Sequence, residues 1–282
     1  MSSPNLFKVC RHVSPDCPVE SSIYGYYPSL GGNAFFLAWF AAMLVVNTLL
    51  GIKFKRWAYM TAVSLGCISE VIGYAGRVIL HKNPYSKAGF DMQIVCLVIA
   101  PAFFAAGIYL MLKHLTLFFG PSDSPINPRL YTWIFISCDV VSLILQGAGG
   151  GISATADSYA TQRSGNNVAL AGIVFQVFTL LVFAGMAGLY CYRRQQRLKG
   201  HSKHEEDADA PETTRNVQVY IFSLIFAYLC ILTRCSYRIA EMAGGWRNPI
   251  MLSETYFMVC DGAMIALSTA TMIFCHPGLY FA

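Results

Sequence analysis

The chain has 282 residues, of which 55% are apolar and only 12% are Asp, Glu, Lys or Arg, with a formal net charge of +5. Soluble domains carry roughly 25% charged residues, and half that share cannot clothe a water-facing surface of this size. The composition disfavours a soluble enzyme, a disordered chain and a disulfide scaffold, and selects an integral membrane protein.

Residues 1–30 contain no apolar run, so no cleavable leader is expected and the first span serves as the anchor. A membrane-crossing helix needs about 20 apolar residues, and seven such segments follow. They run from Gly31 to Ile52, Ala58 to Leu80, Met92 to Leu115, Leu130 to Ile152, Val168 to Tyr192, Asn216 to Ile239 and Glu254 to Cys275. The fourth reads as broken at its end by Gly147, Gly149, Gly150 and Gly151. The period-two alternation of a membrane barrel is absent, so the expected fold is all-α: a polytopic seven-helix bundle. Two units result, an extracellular tail over 1–30 and a transmembrane domain over 31–282. Within the latter, 193–214 reads as a flexible cytoplasmic loop, basic from Arg193 to Lys199 and acidic from Glu205 to Glu212.

Lys and Arg in the connections set the orientation. One set of loops holds eleven: Lys53, Lys55, Arg56, Lys113, Arg129, Arg193, Arg194, Arg197, Lys199, Lys203 and Arg215. The other, with the N-terminus, holds six: Lys8, Arg11, Lys82, Lys87, Arg163 and Arg247. The N-terminus is therefore expected outside and the C-terminus in the cytoplasm. The positive charge is a topology signal and not a nucleic-acid patch. Of the ten cysteines, eight lie in spans as small apolar residues. Cys10 and Cys17 lie in the outside tail, where either a disulfide or two free thiols fits.

The informative residues are ionisable groups inside the spans. A charge at mid-bilayer costs at least roughly 2.5–3.5 kcal/mol, so it faces the bundle interior and finds a partner. Glu70, Tyr74 and Arg77 lie four and seven apart on one face of the second helix. Asp139 and Gln146 share a face of the fourth, and Gln176 lies on the fifth. Arg234, Arg238 and Glu241 repeat the four-and-seven spacing on the sixth, and Glu254 and Asp261 lie seven apart on the seventh. With the N-terminus outside, Glu70 and Asp139 fall near mid-membrane and the others toward the outer half. These residues are expected to line one polar cavity, with Glu70–Arg77 and Arg238–Glu241 as alternative intrahelical pairs.

Other seven-helix chemistries lack their residues. The glycines at 147–151 have no following Lys to cradle phosphate, the seventh span has no Lys for retinal, and the histidines do not cluster as zinc ligands. No catalytic residue, metal or cofactor is expected, and the chain is not read as an enzyme.

Ordered blocks across nearly the whole chain carry a family resemblance. They are Cys17-Pro18, Tyr24-Gly-Tyr-Tyr-Pro-Ser-Leu30 with Asn33, Glu70-Val-Ile-Gly-Tyr-Ala-Gly-Arg77, and Ala100-Pro-Ala-Phe-Phe-Ala-Ala-Gly-Ile-Tyr109. Asp139-Val140, Gln146-Gly-Ala-Gly-Gly-Gly151, Arg234-Cys-Ser-Tyr-Arg238 with Glu241, Glu254 with Tyr256, and His276-Pro-Gly278 follow. The chain resembles the fungal RTA-like proteins, the lipid-translocating exporter family. The resemblance implies a seven-helix plasma-membrane protein that exports amphipathic lipids or toxic lipophiles, sphingoid long-chain bases among them. Its partners would be membrane lipids and lipophilic small molecules, with oligomeric state left open. Five interior acids against three arginines suit an ammonium headgroup. A seven-helix receptor that senses lipid without moving it is the competing expectation.

Overall fold

The computed structural model describes residues 10–22, 24–119, 128–156, 158–201, 215–244 and 248–280. Helices α1 (Leu30–Phe54), α2 (Trp57–Lys82), α3 (Lys87–Phe119), α4 (Pro128–Thr155), α5 (Tyr159–His201) and α6 (Arg215–Ala243) follow one another. The seventh, α7, spans Glu254–Tyr280. It comprises a first turn Glu254–Tyr256, a π-helical stretch Phe257–Ala263, an α-helical stretch Met264–Phe274 and a closing turn Pro277–Tyr280. All seven are long and apolar enough to cross a membrane, and no strand occurs among the described residues.

Helices adjacent in sequence pack side by side, α7 returns to α1, and α3 also meets α6 and α7. The distribution of side chains is that of a bundle solvated by lipid. Trp133 (71% exposed), Phe222 (76%), Ile144 and Leu49 face outward, while Arg77 and Arg234 are among the largest fully buried side chains. Asn47 joins α1 to α2 by donating to the Met60 carbonyl (3.0 Å) and to Ser64 Oγ (2.9 Å).

Several helices extend beyond the spans read from the sequence: α3 begins at Lys87 and not Met92, and α5 at Tyr159 and not Val168. Helix α4 runs unbroken through Gly147–Gly151 to Thr155, and within that run Gly149 is contact surface and not a breaker. A Cβ on Gly149 would stand 2.3 Å from the Ala169 amide nitrogen and 2.6 Å from the Gly165 carbonyl, and one on Gly165 would meet Ser153 and Gly149 backbone. Small residues let backbones approach this closely, and lipid offers the exposed peptide groups no competing water. Helix α5 continues past Tyr192 through the basic run to His201. Arg, Gln, Leu and Lys all have good helix propensity, and the first glycine of that run is Gly200. The 43 residues of α5 measure about 64 Å at 1.5 Å per residue, roughly twice a hydrocarbon core. The acidic half of the connection lies outside the described residues.

The N-terminal tail folds over one end of the bundle. Cys10 and Cys17 are joined by a disulfide, and Ser14 and Cys17 pair through their backbones. The Tyr85 hydroxyl donates to the Pro18 carbonyl (2.7 Å), Asn83 Nδ2 to the Arg11 carbonyl (2.8 Å), and Gln93 Nε2 to the Tyr24 hydroxyl (2.7 Å). At the opposite end His276 is enclosed by the rings of Phe54 and Tyr59, with centroids at 5.7 and 5.0 Å, and its Nδ1 accepts from the Gly278 amide.

Candidate functional site

Arg77 lies on the face of α2 turned toward α1 and α7, with no exposed surface. Its Nε donates to Asn33 Oδ1 (2.7 Å), one terminal nitrogen reaches Glu254 Oε1 at 3.4 Å, and the guanidinium lies 3.9 Å from the centre of the Phe257 ring. The Tyr26 hydroxyl stands 3.5 Å from that nitrogen. Glu254 Oε1 also accepts the Ser29 amide at 2.6 Å, so one carboxylate ties the tail, α2 and α7 together. Burial raises the pKa of the Tyr24 and Tyr26 hydroxyls against the opposing pull of Arg77, and both remain neutral partners.

The second arginine group lies on α6. Asp261 Oδ1 stands 3.1 Å from Nε of Arg234 and 3.1 Å from Nε of Arg238. Arg238 also holds Glu241 Oε2 at 2.6 Å, and Arg234 donates to the Leu97 carbonyl of α3. Glu70, 1% exposed, lies within the electrostatic reach of Arg234, Asp261 and Arg238, and its Oε1 has no hydrogen-bond partner among the described residues. Tyr74 stacks on Phe36 and Phe40 (5.2 and 5.8 Å) and presses its hydroxyl against Gly262, so it backs the π-helical stretch that carries Asp261.

A third polar group lies apart, on the α4–α5 pair. Gln146 Nε2 donates to Gln176 Oε1 (3.1 Å) and to Ser142 Oγ (3.4 Å). Asp139, two turns before Gln146, is 3% exposed. The Tyr109 hydroxyl faces it closely enough to act on it, but without hydrogen-bond geometry. No hydrogen bond or ion pair among the described residues joins Asp139, Gln146 or Gln176 to the arginines.

The sequence-derived residues are thus buried, apart from the part-exposed Glu254, and they divide into these groups instead of lining one open cavity. A narrow cleft of ≈ 20 Å³, room for about one water, lies beside Arg238 and Glu241 and is lined also by Tyr24, Ile94, Asn166, Met242 and Met251. Arg238 and Glu241 pair within their helix as the spacing allows. Glu70 and Arg77 do not, since Arg77 turns instead to Asn33 and Glu254. Glu254 and Asp261 were read as sharing a face, yet they meet arginines on different helices. The cause is the π-helical stretch Phe257–Ala263, which begins after Glu254 and contains Asp261. Each π turn takes about one residue more than an α turn, so seven residues fall short of two turns and the carboxylates point apart.

Spacing alone did not identify the roles of Asn33, Tyr26, Tyr109 and Phe257. Asn33 had a usable signal, as an amide in an apolar span; the aromatic residues resemble ordinary core. No three His, Cys, Asp or Glu side chains converge as a metal site would require, among the described residues.

Residues 63–282 match the family described as RTA1 like protein. "Sphingoid long-chain base transporter RSB1" of Saccharomyces cerevisiae (strain Lalvin EC1118 / Prise de mousse) is 31% identical, over 93% of this chain and 75% of the relative. "Probable lipid transporter atnI" of Emericella nidulans is 27% identical over 91% of this chain and 68% of its own length. "Protein RTM1" of Saccharomyces cerevisiae is 29% identical over 74% of this chain and 64% of its own. No solved structure matches. With seven apolar helices around buried ion pairs, and the match covering most of its length, the chain is an integral membrane protein that belongs to the RTA1-like family.

Proposed function

We propose that this protein moves single-chain amphipathic lipids of the sphingoid-base type across the plasma membrane, with its N-terminal tail outside. The observation that carries the reading is the polarised interior. Three arginines and five carboxyl groups lie inside a lipid-facing bundle, and all but Glu70 and Asp139 gather toward the end covered by the tail. Interior ionisable groups in membrane helices mark substrate or ion pathways. The names of the Saccharomyces and Emericella relatives supply the lipid class. The eleven-to-six loop charge count supports the orientation, which puts the polar groups in the outer half of the membrane. Such a protein binds and releases lipid without covalent chemistry, and it is not an enzyme.

The test is reconstitution of the full chain into liposomes with a fluorescent sphingoid base, with and without a proton gradient. Movement between leaflets faster than in protein-free vesicles is the expected result. Binding without movement would overturn the transport reading in favour of a receptor.

A further inference from the structure

The interior carboxyl groups differ in what already holds them. Asp261 is held by Arg234 and Arg238, Glu241 by Arg238, and Glu254 by Arg77 and the Ser29 amide. Glu70 lies in the field of Arg234 and Arg238. Asp139 has no cationic partner: no Arg, Lys or His forms an ion pair with it among the described residues, and the group that faces its carboxyl is the Tyr109 hydroxyl, which carries no positive charge. A buried carboxylate without a countercharge is costly to keep, and a cation brought to it relieves that cost.

We propose that Asp139, together with the rings of Tyr109, Phe135 and Phe183, is the site that takes the ammonium headgroup of a long-chain base. The salt-bridged carboxylates of α6 and α7 hold the bundle instead. This rests on the lipid-transport reading above and narrows it to one carboxylate.

The surroundings of Asp139 fit a primary ammonium. Phe135 precedes it by four residues and so lies on the same face of α4. Its ring is 5.5 Å from Tyr109 of α3 and 5.3 Å, edge to face, from Phe183 of α5, while Tyr109 and Phe183 are 4.6 Å apart. Aromatic faces attract ammonium groups, and do so more strongly out of water. The other titratable groups around the pair are Cys235 and Tyr228, from α6. Neither carries a positive charge, and although the field of Arg234 and Arg238 reaches Cys235, no arginine acts on Asp139 itself.

The flanks of Asp139 fit the alkyl chain. Val140, Val141 and Ile144 are exposed on the lipid side of α4. A headgroup can reach the inner face of α4 while its chain stays in the bilayer. The rings are packed against one another, so a headgroup enters when the α4–α5 pair shifts away from α3 and α6.

The experiment separates binding from movement. Purified full-length protein in nanodiscs is titrated with a C18 sphingoid base and with its neutral N-acetyl derivative, and leaflet-to-leaflet movement of both is measured in liposomes. Wild type is expected to prefer the base. Asp139→Asn, nearly isosteric and relieved of a lone charge, is expected to fold and to lose that preference by on the order of tenfold or more. Asp139→Glu is expected to keep it. Phe183→Leu, read independently of the Asp139 variants, is expected to weaken the base and spare the derivative. A folded Asp139→Asn protein with undiminished preference for the base overturns the site. So does one that binds base normally but loses only the effect of a proton gradient on transport, because the carboxylate would then carry a proton. If wild type binds base through Asp139 but moves no lipid, the transport reading fails while the site stands.

Discussion

Asp261 is the residue on which the interior depends most, because two guanidinium groups share one of its oxygens at 3.1 Å. Removing one member of a buried ion pair costs about 3–5 kcal/mol, chiefly through the charge left behind. Asp261→Asn is therefore expected to lower the unfolding temperature in detergent sharply. Glu254→Gln should cost much less, since Glu254 is 23% exposed and the amide oxygen still accepts from Ser29. Comparable shifts for the two would show that the α6–α7 ion pairs do not hold the bundle. The ionisable residues themselves were legible in the sequence, because the cost of a charge in hydrocarbon forces it inward wherever it occurs. Their partners were not. Arg77 has Glu70 one face-repeat away yet turns to Glu254, 177 positions along the chain, and that choice depends on how α2 and α7 dock. The rings around Asp139 were hidden for the same reason, arriving from α3 and α5 as well as from its own helix.

Among the helices, α4 and α5 form the closest-packed pair through glycine. The contacts of Gly149 and Gly165 are with backbone, which cannot move aside. Gly149→Ala is expected to force the two helices apart and cost about 1–3 kcal/mol. Gly147→Ala and Gly150→Ala, with open space where the methyl would go, should be neutral or slightly stabilising by propensity. Thermal unfolding followed by reaction of the buried cysteines would rank them, and equal effects at all three positions would reject the packing role. The number and approximate placement of helices were legible from apolar run length. The ends were not, because a glycine packed against a neighbouring helix does not break its own, and a basic run of good helix formers continues a helix past the apolar span. The tail is a further element with its own test. Cys17→Ser should speed proteolysis within residues 10–30 and leave helical content unchanged, and unaltered digestion would show that the bundle alone orders the tail.

At the scale of the whole molecule the two ends are unlike. The end under the tail holds Arg77, Arg234, Arg238 and their acids, while the other is closed by apolar and aromatic packing around His276. If loop charge sets orientation, a tag before Cys10 will be reached by antibody on intact cells, and one inserted within 202–214 only after permeabilisation. The reverse pattern would place the polar end in the cytoplasmic leaflet and turn the proposed export into uptake.

The π-helical stretch Phe257–Ala263 has a consequence for how α7 can move. A surplus residue in a helix can migrate: when one turn relaxes to α geometry and its neighbour takes up the slack, the segment between them swivels by about 100°, the angle of one α-helical residue. In α7 the stretch begins just after Glu254 and contains Asp261, each clasped by arginine. The helix thus holds a screw thread with one clamp just before it and one within it, and releasing one clamp lets the thread advance while the other holds. Deleting one residue, Cys260, would take out the slack altogether. The shortened α7 should be able to engage Arg77 or the Arg234–Arg238 pair, but not both.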